Sequence, residues 1–529
     1  MARLHEYQGK ELLRKYGINT PEGQLASSPE EARRIAAELA RPVVVKAQVW
    51  VTGRASLGGI RFADSPDEAA AAARQILSLK VRSFPVERVL VEERLSICRE
   101  LYAGLLIDDS ARRPLLLVSS VGGTGIEEIA RSQPEKVARL HVDLGEGVPE
   151  AKARRLVGQV GIDDPLQTHV ADVLVRLYQL ARGVEARAAE INPLVLTTDG
   201  RLVAADCRIT VDDYAVFRHP ELGIEIAREL NHPPTLLDKI AYEVEKNDYR
   251  GTFYFAQMEQ GFEAGQGYIG FHGAGGGGSM MAMDALMRRG FKVANFCDTS
   301  GNPPASKVYR AAKIILAQPN IDAYFGSGSG VASQEQFHVA RGLVKAFREE
   351  NLSIPAVMRL GGNGEDQAVE ILENYTRDLP APVKGFKKDD SIETCVEYLQ
   401  MLLTEQKRGE KREKPIRRQA PAPLPEKPYQ FDIRTGQIIY DHALCAKCET
   451  KICVQVCVPQ ILKLENGVPV LAITREEAKQ GGCIECLACE VECWFHGHQG
   501  ARILLPIPGL DEYLRAQSPL QGNPRILKF

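Results

Sequence analysis

The stretch Glu30-Glu-Ala-Arg-Arg-Ile-Ala-Ala-Glu-Leu39, followed by Pro42-Val-Val-Val-Lys46, decides the fold class of this chain. The first segment has the composition of a helix. The second is a short apolar run rich in β-branched residues, which is typical of a buried strand. The same alternation recurs in the helical stretch 66–75 and in the apolar runs 88–92 and 115–118. Strands that are apolar throughout and alternate with helices indicate an α/β fold.

Length, charge and hydropathy limit the possible classes of protein. The 529 residues predict three or four domains of about 150 residues each. A formal net charge of −3 gives no broad basic surface for nucleic acid. The sequence has no run of 18 apolar residues that would predict a membrane span, and its start lacks the apolar core of a signal peptide. We therefore expect a cytoplasmic protein that binds neither nucleic acid nor membrane.

A composition break predicts the domain boundaries. Residues 407–418 carry seven basic and two acidic side chains, and five prolines follow between Pro415 and Pro428. Because proline blocks helices and like charges repel, residues 406–430 are interpreted as a semi-extended linker, with a docking site for an acidic partner as the alternative. A second α/β stretch runs from about residue 267 to 403. The predicted domains are residues 1–235, 236–405 and 431–529.

Candidate nucleotide-binding residues lie in the first α/β region. Lys46 ends a buried strand and could reach phosphates, and the glycine-rich loop 52–59 follows it. The turn Thr198-Asp-Gly200 would place Asn192 beside Asp206, and amide and carboxylate oxygens suit Mg²⁺. A structural glycine turn and a polar hairpin end are the alternatives for these two motifs.

Five motifs, in order and with preserved spacing, resemble the β subunit of succinyl-CoA synthetase. They are Leu4-His-Glu-Tyr-Gln-Gly-Lys-Glu-Leu-Leu-Arg-Lys-Tyr-Gly17, Val45-Lys-Ala-Gln-Val49, Leu90-Val-Glu92, Arg99-Glu-Leu-Tyr102 and Glu190-Ile-Asn-Pro-Leu194. The resemblance covers roughly residues 1–405. It implies an ATP-grasp domain followed by a flavodoxin-like CoA-ligase domain, with ATP, Mg²⁺ and CoA as cofactors and substrates.

The resemblance also implies roles for individual residues. Glu190 would orient the phosphorylatable histidine of a partner subunit, and Asn192 and Asp206 would hold Mg²⁺. The residues implied in nucleotide binding are Lys46, Gly53, Arg54, Glu92 and Glu100. The chain departs from the family at Ala55, where the family has glycine, and at Gly125, where an acidic residue is replaced.

Two further glycine-rich loops are candidates for phosphate and substrate binding. The stretch Phe271-His-Gly-Ala-Gly-Gly-Gly-Gly-Ser279 precedes a helical segment, and unpaired amides at a helix N-terminus favour phosphate. Structural turns are the alternative. The resemblance places this segment opposite the phosphohistidine, and the loop 325–333 where the family binds its carboxylate. The candidate residues are His272, Gly273, Gly275, Gly328, Ser329, Gly330 and Arg359, with a surface ion pair as the alternative for Arg359.

The resemblance implies the reaction acid + CoA + ATP → acyl-CoA + ADP + phosphate. It proceeds through an acyl phosphate and a phosphohistidine on another subunit. The sequence has no second CoA-binding unit and no histidine loop of the α-subunit type. We therefore expect an α-type partner, in a heterodimer or heterotetramer.

Eight of the twelve cysteines lie between residues 445 and 493. They form two quartets, Cys445-x2-Cys448-x4-Cys453-x3-Cys457 and Cys483-x2-Cys486-x2-Cys489-x3-Cys493. This spacing is typical of two [4Fe–4S] clusters, in which the fourth cysteine of each run serves the other cluster. We assign Cys445, Cys448, Cys453 and Cys493 to one cluster and Cys457, Cys483, Cys486 and Cys489 to the other. Zinc is the less favoured alternative.

The stretches Cys448-Glu-Thr-Lys-Ile-Cys453 and Gly482-Cys-Ile-Glu-Cys-Leu-Ala-Cys489 resemble ferredoxin-like subunits of electron-transfer-flavoprotein oxidoreductases, which implies a small α+β domain. Cys98, Cys207, Cys297 and Cys395 are interpreted as core residues. Two hypotheses follow: a β-type subunit of an ADP-forming acyl-CoA synthetase fused to a two-cluster ferredoxin domain, or an electron-transfer scaffold whose ligase body is inactive. The clusters could pass electrons, dock a redox partner or serve structure.

Overall fold

The computed structural model describes residues 2–51, 53–81, 84–123, 126–228, 232–328, 330, 332, 334–408 and 426–517. The chain divides into two compact units, Met1–Pro234 and Thr235–Phe529. Within the described ranges, no helix is long and apolar enough to cross a membrane.

The first unit is a mixed α/β structure whose strands pair antiparallel. Its strands are β1 (Ala2–Arg3), β2 (Gly23–Ala26), β3 (Val43–Ala47), β4 (Ile60–Ala63), β5 (Lys80–Val81), β6 (Phe84–Pro85), β7 (Val89–Glu93), β8 (Ile97–Asp108), β9 (Arg113–Ser119), β10 (Val137–His141), β11 (Ala186–Thr197), β12 (Leu202–Ala204) and β13 (Cys207–Val211). Its helices are α1 (Glu6–Lys15), α2 (Pro29–Leu39), α3 (Pro66–Leu77), α4 (Ile126–Ser132), α5 (Glu150–Gly158) and α6 (Leu166–Gly183).

Two sheets carry the candidate residues of the first unit. The smaller has the order β2-β7-β3-β4, and the larger has the order β1-β13-β11-β8-β9-β10, with β12 beside β11. The predicted strand at residues 42–46 is β3, which is buried throughout. The predicted helix at residues 30–39 is α2, where Ser28 accepts a hydrogen bond from the Glu31 amide and Pro29 occupies the first helical position.

The second unit begins with a parallel sheet and ends with the cysteine-containing segment. Its strands are β14 (Tyr254–Gln257), β15 (Tyr268–Ala274), β16 (Lys292–Val293), β17 (Asn295–Asp298), β18 (Ala323–Gly328), β19 (Ala356–Arg359), β20 (Val383–Phe386), β21 (Tyr429–Asp432), β22 (Gln437–Tyr440), β23 (Leu462–Glu465), β24 (Val468–Leu471) and β25 (Ala501–Leu504). Its helices are α7 (Leu236–Lys246), α8 (Gly276–Arg288), α9 (Ala305–Leu316), α10 (Phe337–Glu349), α11 (Glu365–Asn374), α12 (Ile392–Arg408), α13 (His442–Lys447), α14 (Ile452–Gln455), α15 (Arg475–Glu477), α16 (Ala488–His496) and α17 (Leu510–Gln517).

The parallel sheet has the order β14-β17-β15-β18-β19-β20, and only β14 runs antiparallel to its neighbour in this path. Numbered from β15, the five central strands run 2-1-3-4-5, which is the flavodoxin-like order. Helices α8 and α12 cover one face, and α9, α10 and α11 contribute to the core on the other. The loops that follow β15, β17, β18 and β19 meet at one edge of this sheet, where ligands bind in open α/β sheets.

The cysteine-containing segment, residues 426–517, packs on the same unit. It has a three-stranded sheet β21-β22-β25 and a hairpin β23-β24. Its apolar residues Phe431, Ile438 and Tyr440 belong to the same hydrophobic cluster as Leu343 and Phe347 of α10. We call this segment the cysteine module. Of the predicted linker, residues 406–408 belong to α12, and residues 409–425 lie outside the described ranges.

Candidate functional site

Six charged side chains meet in the first unit and form a continuous ion-pair network. Lys46 on β3 contacts Glu92 on β7 at 2.6 Å and Glu6 on α1 at 3.0 Å, and it donates to the Ala205 carbonyl at 2.8 Å. Glu6 also contacts Arg54 at 2.7 Å. We call this set (Glu6, Lys10, Lys46, Arg54, Glu92 and Asp206) the cation network.

The remaining contacts join Asp206 and Lys10 to the cation network. Arg54 Nη2 reaches Asp206 Oδ2 at 2.8 Å, and Arg54 Nη1 donates to the Ala47 carbonyl at 2.8 Å. Lys10 Nζ contacts Glu92 at 2.6 Å and Glu6 at 2.8 Å. Three predicted nucleotide-binding residues and one predicted magnesium ligand therefore lie in one network.

The ion pairs of the network shift the pKa values of Glu6 and Lys46. Burial raises the pKa of Glu6, but the charges of Lys10, Lys46 and Arg54 outweigh it and hold that pKa well below its usual value. Burial would lower the pKa of Lys46, but Glu6, Glu92 and Asp206 raise it above the usual lysine value. Glu6 and Asp206 likewise raise the pKa of Arg54, so Lys46 and Arg54 both stay charged, as a phosphate-binding site requires.

The two predicted magnesium ligands are neighbours through their backbones. The Asn192 amide donates to the Asp206 carbonyl at 3.1 Å across the pairing of β11 with β13. The Asn192 side chain, however, bonds both polar groups of Gly123, at 2.7 and 3.1 Å. A Cβ on Gly123 would lie 2.9 Å from Glu100 Oε2, so Glu100 borders the same glycine. The side chains of Asn192 and Glu100 thus both lie beside Gly123, whereas the side chain of Asp206 pairs with Arg54 in the cation network.

The other two candidates of the first unit lie near these groups. Glu190 is half-buried on β11, opposite Arg208 of β13 in the strand register. Gly53 is exposed and has a φ of 71°, a conformation that favours glycine, and its carbonyl accepts from Ser56.

The first glycine-rich loop of the second unit follows β15. His272 is buried, with Nδ1 2.5 Å from the Tyr324 hydroxyl and Nε2 3.2 Å from Thr299 Oγ1. Burial lowers the pKa of His272 to about 4, so the ring is neutral and both nitrogens are engaged within the fold. In this structure His272 therefore supports the loop of Thr299 by hydrogen bonding.

Gly273 and Gly275 shape the entrance to α8. A Cβ on Gly273 would lie 2.0 Å from Ser279 Oγ, so no larger residue fits there. Gly275 has a φ of 100°, and its amide donates to Asp298 Oδ1 at 2.9 Å. The first intrahelical bond joins the Ser279 amide to the Gly275 carbonyl. The amides of residues 276–278 precede this bond, as expected for an anion-binding helix start.

The second glycine-rich loop of the unit follows β18 and is held by Arg359. The guanidinium donates to the carbonyls of Gly328 at 3.0 Å, Asp390 at 2.8 Å and Lys388 at 2.5 Å. Gly330 has a φ of 79° and lies against Arg359. Arg359 thus links the end of β18 and the loop after β20 to β19 through carbonyls, and among the described residues it forms no ion pair. Ser329 lies outside the described residues.

The eight clustered cysteines fall into two groups of electrostatic neighbours. Burial, together with the nearby Cys453, Cys493 and Cys448, raises the pKa of Cys445 to about 12. These four residues are the first cysteine group. Burial also raises the pKa of Cys489 well above its usual value, with Cys486, Cys483 and Cys457 adding to the effect. These four residues are the second cysteine group.

The backbone around both groups directs amides toward sulfur. Cys457 neighbours the amides of residues 460–462, and Cys493 those of residues 499–501. Lys451, Gln460, Glu485, Leu487 and Gln499 have positive φ values between 48° and 58°. Such left-handed residues make amide-lined concavities that accept anions, including iron–sulfur sites.

Glycines border the sulfurs closely. A Cβ on Gly500 would lie 2.8 Å from Cys445 Sγ, and one on Gly497 would lie 3.2 Å from Cys493 Sγ. The donor set and its surroundings therefore fit a thiolate-bound cluster. Across the described part of the chain, however, no group of three or more histidine, cysteine, aspartate or glutamate side chains is arranged to hold a metal ion. The two clusters stay a prediction.

The scattered cysteines differ from one another. Cys207, Cys297 and Cys395 are buried, as predicted for core residues, but Cys98 at the second position of β8 is exposed. The core prediction for Cys98 was wrong because the start of that strand, including Ile97, projects into solvent.

Sequence reasoning missed Glu6 and Lys10. Both lie on α1, four residues apart, and both are buried, which is unusual for charged residues unless they are paired. Their spacing of four residues could have indicated an ion pair, because it places them one turn apart on the face of α1 that also buries Leu13. Asp298, which accepts from the amides of Gly275 and Ser300, was likewise not singled out.

Comparisons with known proteins agree with this architecture. The ATP-grasp domain family matches residues 3–196. The chain is 41% identical over 370 residues to the succinate–CoA ligase [GDP-forming] β subunit of Thermus thermophilus, covering 70% of this chain and 93% of that protein. It is 36% identical over 374 residues to the [ADP-forming] β subunit of Rubrobacter xylanophilus, covering 70% and 92%.

A solved structure shows a similar fold. ATP citrate lyase from Methanothrix soehngenii, in complex with citrate and coenzyme A, superposes with a TM-score of 0.63 and 19% sequence identity. The match covers 76% of this chain and 99% of that chain.

Proposed function

The chain belongs to the family of succinate–CoA ligase β subunits, and from this premise we propose that it is the nucleotide-binding subunit of an ATP-dependent acid–CoA ligase that also carries two [4Fe–4S] clusters. The reaction is acid + CoA + ATP → acyl-CoA + ADP + phosphate, through an acyl phosphate. A phosphohistidine on an α-type partner would relay the phosphoryl group, which divides one difficult transfer into easier steps.

The cation network is the observation that carries the ligase proposal. It brings Lys46, Arg54 and Asp206 together from separate elements, at contacts of 2.6–3.0 Å through Glu6 and Glu92. Two fixed cations beside a carboxylate provide what a triphosphate with its metal ion needs: charge neutralisation and a hard oxygen ligand.

Each remaining residue has a definite role in this proposal. Asn192 and Asp206 would hold Mg²⁺, which neutralises phosphate charge when it is bound. Glu190 would orient the partner's histidine. Glu100 and Gly53 would border the nucleotide. In the second unit, the amides at the start of α8 would bind phosphate, and the loop held by Arg359 would contact the acid.

The iron–sulfur part of the proposal rests on the two cysteine groups. Two neighbour relations support the crossed pattern of two-cluster ferredoxins: Cys457 lies near Cys486 of the second run, and Cys493 lies near Cys448 of the first. Burial opposes free thiolates in both groups, and bound iron would supply the missing positive charge. Bound clusters would supply one-electron transfer.

We expect nucleotide turnover that depends on both CoA and an acid when the chain is combined with its α-type partner. The direct measurement is ADP release with a panel of mono-, di- and tricarboxylates, with GTP tested beside ATP. Partner alone and chain alone are the controls. No turnover with any acid, in a preparation with full iron content, would overturn the ligase proposal and leave an electron-transfer scaffold.

The cluster assignment predicts the iron content of cysteine variants. The full chain should hold about eight iron atoms, and Cys486→Ala should retain about four, because one of two four-iron clusters loses a ligand. Cys98→Ser is the matched control, since Cys98 is an exposed cysteine outside both groups. Iron, zinc and acid-labile sulfide are measured per chain under anaerobic conditions. Stoichiometric zinc without sulfide would contradict the assignment.

A further inference from the structure

Three buried glutamates connect the cysteine module to the helices of the parallel sheet. Glu485 lies between Cys483 and Cys486, Glu490 follows Cys489, and Glu492 precedes Cys493. The exposed fractions of the three residues are 0%, 0% and 8%. Buried carboxylates at these positions require partners, because an unpaired buried charge is strongly destabilising.

The partners of these glutamates lie outside the cysteine runs, mostly on α9 and α10. Lys345 Nζ contacts Glu490 Oε1 at 2.8 Å. Ser306 donates to Glu485 at 2.5 Å, and Thr435 of the module donates to the same carboxylate at 2.7 Å. The cysteine module is therefore docked through groups that adjoin its cysteines.

Arg341 of α10 is the exception among these partners, because its pairing is incomplete. Its Nη2 reaches Glu492 Oε1 at 3.3 Å, and its guanidinium carbon lies 5.0 Å from the centroid of the Phe337 ring. Arg341 is only 6% exposed. Its Nε is nevertheless buried without a hydrogen-bond partner among the described residues. A buried donor without a partner is energetically costly, so an acceptor is expected beside it.

Arg341 also adjoins the second cysteine group, since its guanidinium lies close enough to Cys486 for the charge to act on that thiol. Arg341 therefore lies near Cys486 of the second group and contacts Glu492, the residue that precedes Cys493 of the first group. The unpaired Nε therefore belongs to a side chain that adjoins the second cysteine group.

Tyr440 on β22 is a second buried donor without a partner in the described part of the chain. Its side chain is fully buried, and its hydroxyl has no hydrogen-bond partner among the described residues. The hydroxyl adjoins the Cys489 thiol and is therefore placed to donate a hydrogen bond toward sulfur.

We propose that Arg341 and Tyr440 donate hydrogen bonds to sulfur atoms of the cluster held by the second cysteine group, and that they raise its reduction potential. The inference rests on the proposed iron–sulfur function. One-electron reduction adds one negative charge to the cluster. Donors and a cation beside its sulfurs therefore stabilise the reduced form more than the oxidised form. Because Arg341 belongs to α10, the ligase domain is part of the redox site.

The test is a redox titration of the anaerobically purified full chain, with the two clusters followed by electron paramagnetic resonance. Cys486→Ala identifies the signal of the second group. Arg341→Gln and Tyr440→Phe should each leave that cluster about tenfold less reduced at a fixed potential, a shift of about 59 mV to more negative values for one electron. Arg341→Lys keeps the charge and should shift the midpoint less.

Arg348→Gln is the matched control, because Arg348 lies on the same helix and packs over Phe495 of the module at 5.1 Å while pairing with Asp378. Its midpoints should equal those of the wild type. Iron content is measured first: a wild-type chain without iron defeats the proposed function itself. Wild-type midpoints in Tyr440→Phe and Arg341→Gln at full iron content would overturn the inference alone. Tyr440→Phe removes only a hydroxyl, so it still decides the question if Arg341→Gln fails to fold.

Discussion

Lys46→Met is expected to reduce acid- and CoA-dependent ADP release by at least about a hundredfold, since removing one preorganised charged donor from a phosphate site costs roughly 10²–10³ in rate. Lys46 is buried on β3, and its ammonium is held by Glu6, Glu92 and the Ala205 carbonyl. Methionine has a similar length but no charge, so the phosphates lose a fixed cation. The visible absorbance of the clusters should not change, because all eight cysteines lie in the other unit.

The controls separate chemistry from folding. Lys152→Met removes a lysine from a surface ion pair with Glu146 in the same unit and should leave turnover unchanged. Lys46→Arg keeps the charge that Glu6 and Glu92 need, and it should unfold at the wild-type temperature. Turnover of Lys46→Met within tenfold of the wild type would contradict the role given to this lysine.

Lys345→Met is expected to have the largest effect on stability, about 3–5 kcal/mol, because it leaves a buried carboxylate without its cation. Lys345 is 1% exposed and contacts Glu490 and Glu349, each at 2.8 Å. Glu490 would keep only its bond from the Ile503 amide at 3.1 Å. The lost free energy should appear as a lower urea midpoint for the second unit.

A double variant tests whether the loss comes from the unpaired charge. Lys345→Met with Glu490→Gln removes both charges and should recover at least half of the lost stability. Trp494, one of only two tryptophans, lies against Lys345 at 5.6 Å, so its fluorescence in a Trp50→Phe background reports this region. Lys463→Met, in an exposed pair with Glu465, should change stability by less than about 0.5 kcal/mol. An equal loss in single and double variants would assign the effect to packing instead.

Much of the fold was predictable because local patterns agree with tertiary structure. The run 42–46 is apolar on both faces, and it became the central strand β3. The turn 198–200 joins β11 to β12, as its aspartate and glycine indicate. The assignment of the cysteines to two clusters stays a prediction from their spacing, since each run is short enough for one loop to bring three sulfurs together.

The packing between distant segments could not be predicted in the same way. Nothing in the charged, proline-rich stretch 407–428 shows that the cysteine module shares a hydrophobic cluster with α9 and α10. The pairing of Lys345 with Glu490 spans 145 residues, and no periodicity encodes such a contact. Arg359 was predicted from a motif, but its three carbonyl contacts depend on loops whose positions only the fold determines.

The cation network has a consequence for how a nucleotide enters. Each cation of the network already has carboxylate partners: Glu6 and Glu92 for both Lys10 and Lys46, and Glu6 and Asp206 for Arg54. In the proposed function, an incoming triphosphate would displace the carboxylates that now pair with these cations. A phosphate that took Arg54 would release Asp206, which could then bind a metal ion. Phosphate binding and metal binding would therefore be coupled, because both depend on the same exchange of ionic partners.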